Sequence, residues 1–524
     1  MTIIYMHDII FLTYTDELTI GVKKLSYYLT FDVGTTAMKC IIFDEKLHEV
    51  KCVNEEYDLI TEKDNFVEAE ANIYFDTFLK CIDIIYESGI KKDEIKAITF
   101  STQGETFIPT DKNGNALRRA IVWLDSRADK EADFIKSSIS KEKFYSVTGL
   151  PSADGALPIA KLLWLYRNEP EICKKTYKFF LLEDFFIYKL TGRAVSEKSL
   201  VSSTGWYDIF NDTYYSDIIS LCGIEEEKLP KILPCGTAAG KITPDAARKC
   251  NLSENTVVVT GAMDQIASAI GAGNICEGVI TETTGTALVI GATVEKPEIS
   301  TEKPITVYKH YDDKFMYMPY CNTAGIVKKW FKDEIVPFVK DAANKENVSP
   351  YEIIDAMAKK SPPGSGGVIL FPHFSGKNEP NEIPNAKGVF FGLQLSTNKE
   401  DLARSVLEGI AFMLREIIET DALKRLKITE IHSLGGGSYS KIWTQIKSSV
   451  CNKKIITSSY AQTTSLGAAI LASVATGGFE SVSEAVKECV KPGDVTKPEN
   501  DLISSYDIFY KKYKKLCIAL KDVF

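Results

Sequence analysis

Apolar and polar positions near the start of the chain predict two short strands joined by a tight turn. Between the apolar runs at 27–31 and 40–43 lie one carboxylate, one glycine, two hydroxyls and one ammonium group, namely Asp32, Gly34, Thr35, Thr36 and Lys39. A glycine lets an oxyanion approach its backbone N–H closely, and hydroxyl and ammonium groups donate to phosphate oxygens. A carboxylate tolerates a polyphosphate beside it when a cation such as Mg²⁺ lies between them. Taken alone, the pattern fits either a phosphate-binding turn or an ordinary threonine-rich hairpin.

Further along, helical spacing of apolar residues over 75–82 predicts a helix that stops near Gly89. A short strand at 97–100 then runs directly into a polar segment that contains Gln103 and Glu105. Open α/β sheets bind their ligands at the carboxyl ends of strands. Gln103 and Glu105 are therefore candidates to hydrogen-bond a hydroxyl-rich ligand, and a solvated loop is the alternative. The following apolar runs predict a strand at 120–123 and a core helix from 158.

In the middle of the chain, a β-branched run at 256–260 predicts a strand that breaks at Gly261. A helix of small residues is predicted to begin at Asp264 or Gln265, and such a helix suits close backbone packing at a domain junction. An acidic residue at a helix start is most often a cap. From these residues alone, Asp264 can be a cap or a general base.

The second half repeats the strand, Gly-Thr turn, strand pattern over 279–290, with Gly285 and Thr286 at its turn. This similarity suggests two related halves, each with a phosphate-binding turn. Later, a strand at 430–434 leads into three glycines and then a helix. Backbone and a flat ring can meet at such a place because no side chain intervenes, although a lone triple glycine is more often a flexible turn.

Length and composition limit the function classes. A chain of 524 residues exceeds what one hydrophobic core usually serves, so we expect two domains. A hydrophobic content of 45% with 25% charged residues is ordinary for a globular protein, and the net charge of −9 argues against a nucleic-acid binder. The five histidines are spread singly, so zinc or serine-hydrolase chemistry has no support.

The expected compartment is the cytoplasm. Twelve cysteines without a C-x-x-C pair suit reduced thiols rather than a disulfide framework. No apolar run is as long as a membrane span, and the first residues lack the basic start of a signal peptide. Residues 1–26 are predicted to be an extension to which the sequence assigns no role.

With these motifs in order, the chain resembles the FGGY family of carbohydrate kinases, which belongs to the actin and heat-shock-chaperone ATPase superfamily. The most specific match is the family's carboxyl-terminal signature, carried here by residues 388–393 and 401–408. The amino-terminal signature is nearly met by residues 158–168, although Ala156 departs from its first position. The resemblance extends from about Tyr28 to beyond Gly478.

The resemblance implies a two-lobed α/β fold, actin- and chaperone-ATPase-like (ribonuclease H-like), with duplicated domains around a central cleft. An amino-terminal domain at 27–272 would hold the sugar site and the catalytic base, and a carboxyl-terminal domain at 273–524 would hold the nucleotide. The implied ligands are ATP, Mg²⁺ and a small sugar or polyol, with no nucleic acid and no membrane. A homodimer is left open.

Site residues carry over from the family position by position. Asp264 matches the catalytic base and also contacts substrate, as does its neighbour Gln265. Gln103 and Glu105 lie in the family's substrate loop, and Asp32 would hold Mg²⁺ through water. The ATP contacts implied by the resemblance are Gly34, Thr35, Thr36, Lys39, Gly285, Thr286, Gly325, Gly436 and Gly437.

Substrate identity is less constrained. Glycerol kinases carry an arginine where this chain has Gly104 and a substrate tyrosine where it has Ala156, so glycerol itself is disfavoured. Gly104 is expected to leave room for a longer hydroxyl-rich substrate that donates to Glu105. Xylulokinases carry a Met-His pair that this chain lacks, although the region around Pro158 and Lys161 is xylulokinase-like. We expect a ketopentose such as xylulose, with a polyol such as erythritol or glycerol as the alternative and a non-catalytic nucleotide-gated sugar sensor as the alternative of another class.

Overall fold

The computed structural model describes residues 26–63, 65–378 and 382–524. The predicted extension at 1–26 therefore lies outside the described residues, apart from Ser26. Two central sheets, one of six strands and one of eight, organise an amino-terminal and a carboxyl-terminal lobe. The order of strands and helices gives a mixed α/β architecture, as the sequence predicts.

The amino-terminal sheet begins as the predicted hairpin, in which two antiparallel strands are joined at Gly34. In spatial order its strands are Ala238–Lys241, Val257–Met263, Ile95–Thr102, Tyr27–Val33, Ala37–Phe43 and Glu49–Glu56. The second, third and fourth of these run parallel to one another, so their carboxyl ends meet at one edge. Residues on both faces of these strands are buried, which explains the nearly continuous apolar runs in the sequence.

The carboxyl-terminal sheet has the same plan. Its main strands, in spatial order, are Val307–Lys309, Phe315–Tyr317, Leu288–Val294, Val279–Thr284, Glu430–Leu434, Lys454–Ser458 and Pro492–Thr496, with Tyr320–Cys321 beside Leu288–Val294. An antiparallel hairpin again adjoins two parallel strands and an antiparallel edge strand. The weak sequence similarity between the two Gly-Thr turns therefore reflects a duplicated supersecondary unit.

Helices cover both sheets. Those of the amino-terminal half are Ala71–Tyr86, Asp129–Ser138, Lys141–Thr148, Pro158–Asn168, Pro170–Lys175, Leu182–Thr191, Lys198–Val201, Ser216–Leu221, Pro244–Cys250 and Asp264–Gly271. Those of the carboxyl-terminal half are Gly325–Trp330, which continues as the π-turn Phe331–Ile335, and Val339–Glu346, Pro350–Lys360, Lys399–Ile418, Asp421–Arg425, Lys441–Cys451, Thr463–Ala475, Val482–Cys489 and Asn500–Leu520. A smaller sheet in the amino-terminal half comprises Ile60–Lys63, Phe66–Ala69, Ala120–Ile121, Phe107–Thr110 and Lys178–Leu181.

A stack of phenylalanines forms the core behind the amino-terminal sheet. The ring centroids of Phe31 and Phe78 lie 4.7 Å apart, and those of Phe100 and Phe186 also lie 4.7 Å apart. All four side chains are fully buried. Two of them come from strands and two from helices, so this cluster fixes the helices against the sheet.

The two lobes meet through a pair of equivalent helices, Asp264–Gly271 and Thr463–Ala475, each of which follows the last parallel strand of its own sheet. Their backbones approach so closely that a Cβ on Gly271 would lie 1.9 Å from the carbonyl oxygen of Thr463. A Cβ on Gly467 would likewise lie 1.9 Å from the carbonyl oxygen of Ala267. The small residues predicted to suit a domain junction therefore do occupy one.

Two details differ from the sequence prediction. The strand Val257–Met263 does not break at Gly261 but continues through a register shift between Val259 and Ala262. The apolar run at 120–123 yields only the two-residue strand Ala120–Ile121, because the chain then turns and the Trp123 N–H donates to the Thr106 hydroxyl. None of the helices in the described part of the chain is long and apolar enough to span a membrane.

Candidate active site

Three candidate residues lie at one edge of the amino-terminal sheet. Asp32 pairs in register with Ser101 on the neighbouring parallel strand, and Thr102 pairs with Met263 on the next one. Asp32, Gln103 and Asp264 are therefore carried to the carboxyl ends of adjacent parallel strands, where such sheets bind ligands.

Asp264 is the first residue of its helix, and its carboxylate accepts a 2.6 Å hydrogen bond from the Gln265 N–H. Burial in the cleft and, secondarily, the negative charge of Asp32 raise the pKa of Asp264 to about 7. The bond from Gln265 opposes this shift only in part. A carboxyl group that titrates near neutral pH is suited to accept a proton from a hydroxyl. Asp264 therefore lies one position inside the helix rather than at the cap position, which is Met263, and its environment suits a base.

Glu105 lies in the same electrostatic cluster. Its φ of 56° is in the left-handed region, and the Thr106 N–H donates to the Gly104 carbonyl at 2.7 Å across it. Burial raises the pKa of Glu105 to about 7, the Lys161 ammonium lowers it, and the charge of Asp264 raises it further. A bulky residue in this backbone region is strained, and such strain concentrates at functional sites.

Lys161 also belongs to this cluster, although the sequence predicts only a core helix around it. Its side chain is fully buried, and its Nζ donates to the carbonyl oxygens of Val122 at 2.9 Å and Trp123 at 3.2 Å. Burial lowers the pKa of Lys161 to about 8, against the charges of Asp125 and Glu105. The available signal was a lysine inside an otherwise apolar helical run, a position that lysine rarely occupies without a partner.

The expected room beside Gly104 is not present. A Cβ on Gly104 would lie 3.1 Å from the Ser203 hydroxyl and 3.3 Å from the Met263 sulfur. The side chains of Ser203 and Met263 fill the space into which a larger residue would extend, so this part of the prediction was wrong. Ser203 also forms a hydrogen bond with the Glu105 carboxylate, which lowers the pKa of Glu105.

Gln103 is placed differently from its neighbours. Only 4% of the residue is exposed, its backbone N–H donates to the Val33 carbonyl at 3.1 Å, and its amide lies beside the Tyr74 phenol. Among the described residues, no group meets hydrogen-bond geometry with either atom of the amide. The side chain therefore packs behind the first turn, and its contact with a substrate stays a prediction. Gln265 is half-buried next to Asp264.

The first Gly-Thr turn is well defined. The Gly34 N–H donates to the Ala37 carbonyl at 2.9 Å, and the Thr35 hydroxyl accepts a 3.0 Å bond from the Trp123 indole. Lys39 pairs in register with Asp32 and its Nζ donates to the Gln462 side chain of the other lobe at 2.5 Å. Thr36 is exposed. The turn thus presents its hydroxyls and its ammonium group at the boundary between the lobes.

Asp32 carries a pKa raised to about 6 by burial, against the opposing effect of the Lys39 ammonium. In the part of the chain that the structure describes, no three His, Cys, Asp or Glu side chains converge on a ready-made metal site. A single carboxylate is nevertheless a common protein contribution to a Mg²⁺ site whose other ligands are phosphate oxygens and water.

All five glycine and threonine candidates of the carboxyl-terminal lobe line a single cavity of about 1140 Å³. They are Gly285, Thr286, Gly325, Gly436 and Gly437. Polar and aromatic neighbours complete the wall, among them Lys328, Tyr351, Asp355, Ser440, Lys441 and Trp443. A cavity of this size, with charged and aromatic groups around it, can hold a nucleotide.

Two glycines of this cavity, Gly325 and Gly437, leave no space for a side chain. A Cβ on Gly325 would lie 2.2 Å from the Gly285 carbonyl oxygen, to which the Gly325 N–H donates at 2.8 Å. A Cβ on Gly437 would lie 2.8 Å from the Thr284 side chain. Gly285 and Gly436 instead border open space, since no described atom lies within 4 Å of a Cβ built on either. Their backbones are therefore accessible from the cavity.

Comparison with known proteins agrees with this geometry. The family model for the N-terminal domain of the FGGY family of carbohydrate kinases matches residues 27–271. The model for the C-terminal domain of the same family matches residues 281–476. A gluconokinase of Bacillus subtilis is 28% identical over 88% of this chain and 90% of its own length. A xylulose kinase of Bacillus subtilis is 26% identical over 95% of this chain and 98% of its own length.

Solved structures agree as well. The crystal structure of a gluconate kinase from Lactobacillus acidophilus superposes with a TM-score of 0.85 at 26% identity, over 95% of this chain and 98% of that one. The two-lobed actin-ATPase-like fold expected from the sequence is thereby confirmed. Because both domain models match and together span most of its length, the chain belongs to the FGGY family of carbohydrate kinases and is a sugar kinase.

Proposed function

We propose that the protein transfers the γ-phosphoryl group of ATP to a hydroxyl of a small uncharged sugar, a ketopentose such as xylulose, with Asp264 as general base. The observation that carries this proposal is the convergence of Asp264, Glu105 and Asp32 at one sheet edge, each with a raised pKa. Perturbed carboxyl groups gathered in a cleft are typical of catalytic sites.

Asp264 accepts the proton of the attacking hydroxyl as the new P–O bond forms. A sugar hydroxyl is a weak nucleophile, and a base with a pKa near 7 is partly ionised at neutral pH yet basic enough to take the proton. The hydrogen bond from Gln265 holds one carboxylate oxygen, which leaves the other oxygen for the sugar. Asp264 thus acts as both an orienting and a proton-accepting group.

The two Gly-Thr turns and the large cavity fit ATP. Open space beside Gly285 and Gly436 lets phosphate and adenosine groups approach the backbone closely, and Lys39 supplies positive charge from the other lobe. Asp32 is the residue that would hold Mg²⁺, through water. When bound, Mg²⁺ neutralises negative charge on the phosphate oxygens. Competition from water is limited if the lobes close around the sugar.

The charge of the sugar site supports an uncharged substrate. Glu105 lies within electrostatic reach of Asp264 and Asp154, and its positive neighbour Lys161 already donates to two carbonyl oxygens. A sugar acid would bring a further carboxylate against these three acids, which is unfavourable in a partly desolvated cleft. Relatives are named for both gluconate and xylulose, and this charge pattern favours the second type.

A polyol is the second candidate, because Glu105 accepts hydrogen bonds from hydroxyls without distinguishing a ketose from its reduced form. The test is a panel of ketopentoses, pentitols, tetritols, glycerol and gluconate with Mg-ATP, followed by ADP release. We expect a ketopentose to give the highest kcat/KM. A pentitol or tetritol above every ketose would establish the polyol alternative, and gluconate above both would overturn the charge argument.

A further inference from the structure

The end of the strand that carries Asp264 is held by side chains that the reaction itself does not use. This strand, Val257–Met263, pairs with Ile95–Thr102. Between the pairs Val259–Thr99 and Ala262–Ser101, two residues of the first strand lie opposite one residue of the second. The extra residue forms a β-bulge at Gly261. A Cβ on Gly261 would lie 1.7 Å from the Phe100 carbonyl oxygen, so no other residue fits at this position.

The bulge turns the Gly261 N–H towards a buried acid. Glu183, in the helix Leu182–Thr191, is fully buried, and its Oε1 accepts a 2.7 Å hydrogen bond from the Gly261 N–H. A buried N–H without an acceptor destabilises the conformation that buries it. Glu183 therefore stabilises the bulged form of the strand.

A second buried acid is linked to the same strand two residues further on, at Met263. Glu197 is fully buried and accepts a 2.7 Å bond from the Ser199 hydroxyl. The Ser199 oxygen in turn accepts a 3.0 Å bond from the N–H of Met263, the residue before Asp264. Glu197 is itself fixed by the N–H groups of Ser199 and Leu200 and by the Cys235 thiol. Its orientation is therefore fully determined.

We propose that Glu183 and Glu197 are positioning residues for phosphoryl transfer, which act through the Gly261 and Met263 N–H groups to set the direction of Asp264. This inference rests on the proposed role of Asp264 as the base. Glu183 contacts the bulge itself at Gly261, three residues before Asp264, and Glu197 acts through Ser199 on Met263, the residue just before Asp264. Bulges next to active sites commonly re-aim a side chain, and a small misplacement of a reacting group costs much of the rate.

The electrostatics of the pair agree with a structural use of both acids. Burial and the neighbouring Glu197 raise the pKa of Glu183 well above its usual range, and burial raises that of Glu197. The pair can therefore retain a proton in the core while each acid still offers an oxygen as acceptor.

The test compares Glu183→Met, which has a similar length and no acceptor, with Glu183→Gln, which keeps an acceptor oxygen. Glu183→Met should lower kcat by about 10- to 100-fold while KM for ATP and for the sugar changes less than about threefold. Glu183→Gln should recover most of the lost kcat. Ser199→Ala, which removes one hydroxyl and leaves the backbone intact, should lower kcat in the same way and serves if Glu183→Met does not fold.

The matched control is Asp184→Asn. Asp184 is equally buried in the same acid cluster, but its carboxylate accepts from the Leu181 N–H at the start of its own helix. This variant should lower the melting temperature and leave kcat within about threefold of wild type. Equal kcat losses in Glu183→Met, Glu183→Gln and Asp184→Asn would overturn the inference, because a general loss of stability would then explain them.

Asp264→Asn in the same assay separates the two claims. If Asp264→Asn is inactive and both Glu183→Met and Ser199→Ala keep wild-type kcat, only the positioning inference is overturned. If Asp264→Asn itself keeps wild-type turnover, the proposed base is wrong and the positioning inference falls with it.

Discussion

Asp32 and Asp264 lie at the ends of two strands that flank a third, and the negative charge of Asp32 contributes to raising the pKa of Asp264 to about 7. The pair links the two requirements of phosphoryl transfer to an alcohol. One carboxylate is placed to hold a cation near phosphate, and the other is placed to take the proton of the nucleophile. Burial accounts for most of the raised pKa of Asp264, and the nearby charge of Asp32 adds to it.

The pKa of Asp264 predicts the acid limb of the pH profile. A general base must be ionised, so kcat/KM should fall as the pH drops below about 7. Initial rates from pH 5.5 to 9 with the preferred sugar would measure this limb. Because Glu105 titrates in the same range, Glu105→Gln is the control, and its profile should keep the limb. A flat profile between pH 5.5 and 7 in both proteins would contradict the assignment.

Replacing Gly285 with a larger residue should selectively weaken nucleotide binding. No described atom lies within 4 Å of a Cβ built there, so Gly285→Val should fold normally and extend its side chain into the cavity. We expect KM for ATP to rise about tenfold or more, a change of about 1.4 kcal/mol. Calorimetry with the sugar alone should give an unchanged Kd. Unaltered ATP affinity in a folded Gly285→Val protein would exclude this turn from the nucleotide site.

Removing the Glu105 carboxylate should selectively lower kcat/KM for the sugar. Removing an acceptor from a site built around a hydroxyl should lower kcat/KM by about 5- to 150-fold, because the partner hydroxyl is left unpaired. Glu105→Ala should show this loss while the slow hydrolysis of ATP without sugar is unchanged. Glu105→Gln, which keeps one acceptor oxygen, should lose less. Parallel losses of sugar phosphorylation and ATP hydrolysis would show that Glu105 supports the fold instead.

Adding a side chain at the close contact between the two lobes should destabilise the protein. A Cβ on Gly467 would lie 1.9 Å from the Ala267 carbonyl oxygen, so Gly467→Ala must push the two helices apart. We expect a loss of about 1–3 kcal/mol in the free energy of unfolding, or more. Gly436→Ala is the matched control, since its Cβ meets open space among the described residues. Equal melting temperatures for the two variants would contradict the close packing.

The sequence predicts much of the site because its local patterns coincide with strand ends. Asp32 and Gly34 follow a clear apolar run, Gly285 follows a mixed run rich in β-branched residues, and both runs form strands of the two sheets. The helix at 71–86 follows from helical spacing, and the helix at 441–451 follows the three glycines as predicted. In each case the information lies within a few neighbouring residues.

What the sequence does not predict depends on contacts between distant segments. The space beside Gly104 is filled by Ser203 and Met263, which are 99 and 159 positions further along the chain. Lys161 has the apolar neighbours of a core residue, and only the fold brings its ammonium group near Glu105. The strand through Gly261 continues because Glu183, on another helix, accepts the N–H that the bulge releases.

The most direct test of the account is single-turnover phosphoryl transfer by Asp264→Asn. With saturating Mg-ATP and the preferred sugar of the panel, we predict a rate about 10²- to 10⁴-fold below wild type. The affinities for ATP and sugar, measured separately by calorimetry, should stay within about threefold of wild type, because asparagine keeps the size and the hydrogen-bond acceptor of the side chain. A single-turnover rate equal to that of wild type would contradict the account and leave Asp264 with a structural role at the start of its helix.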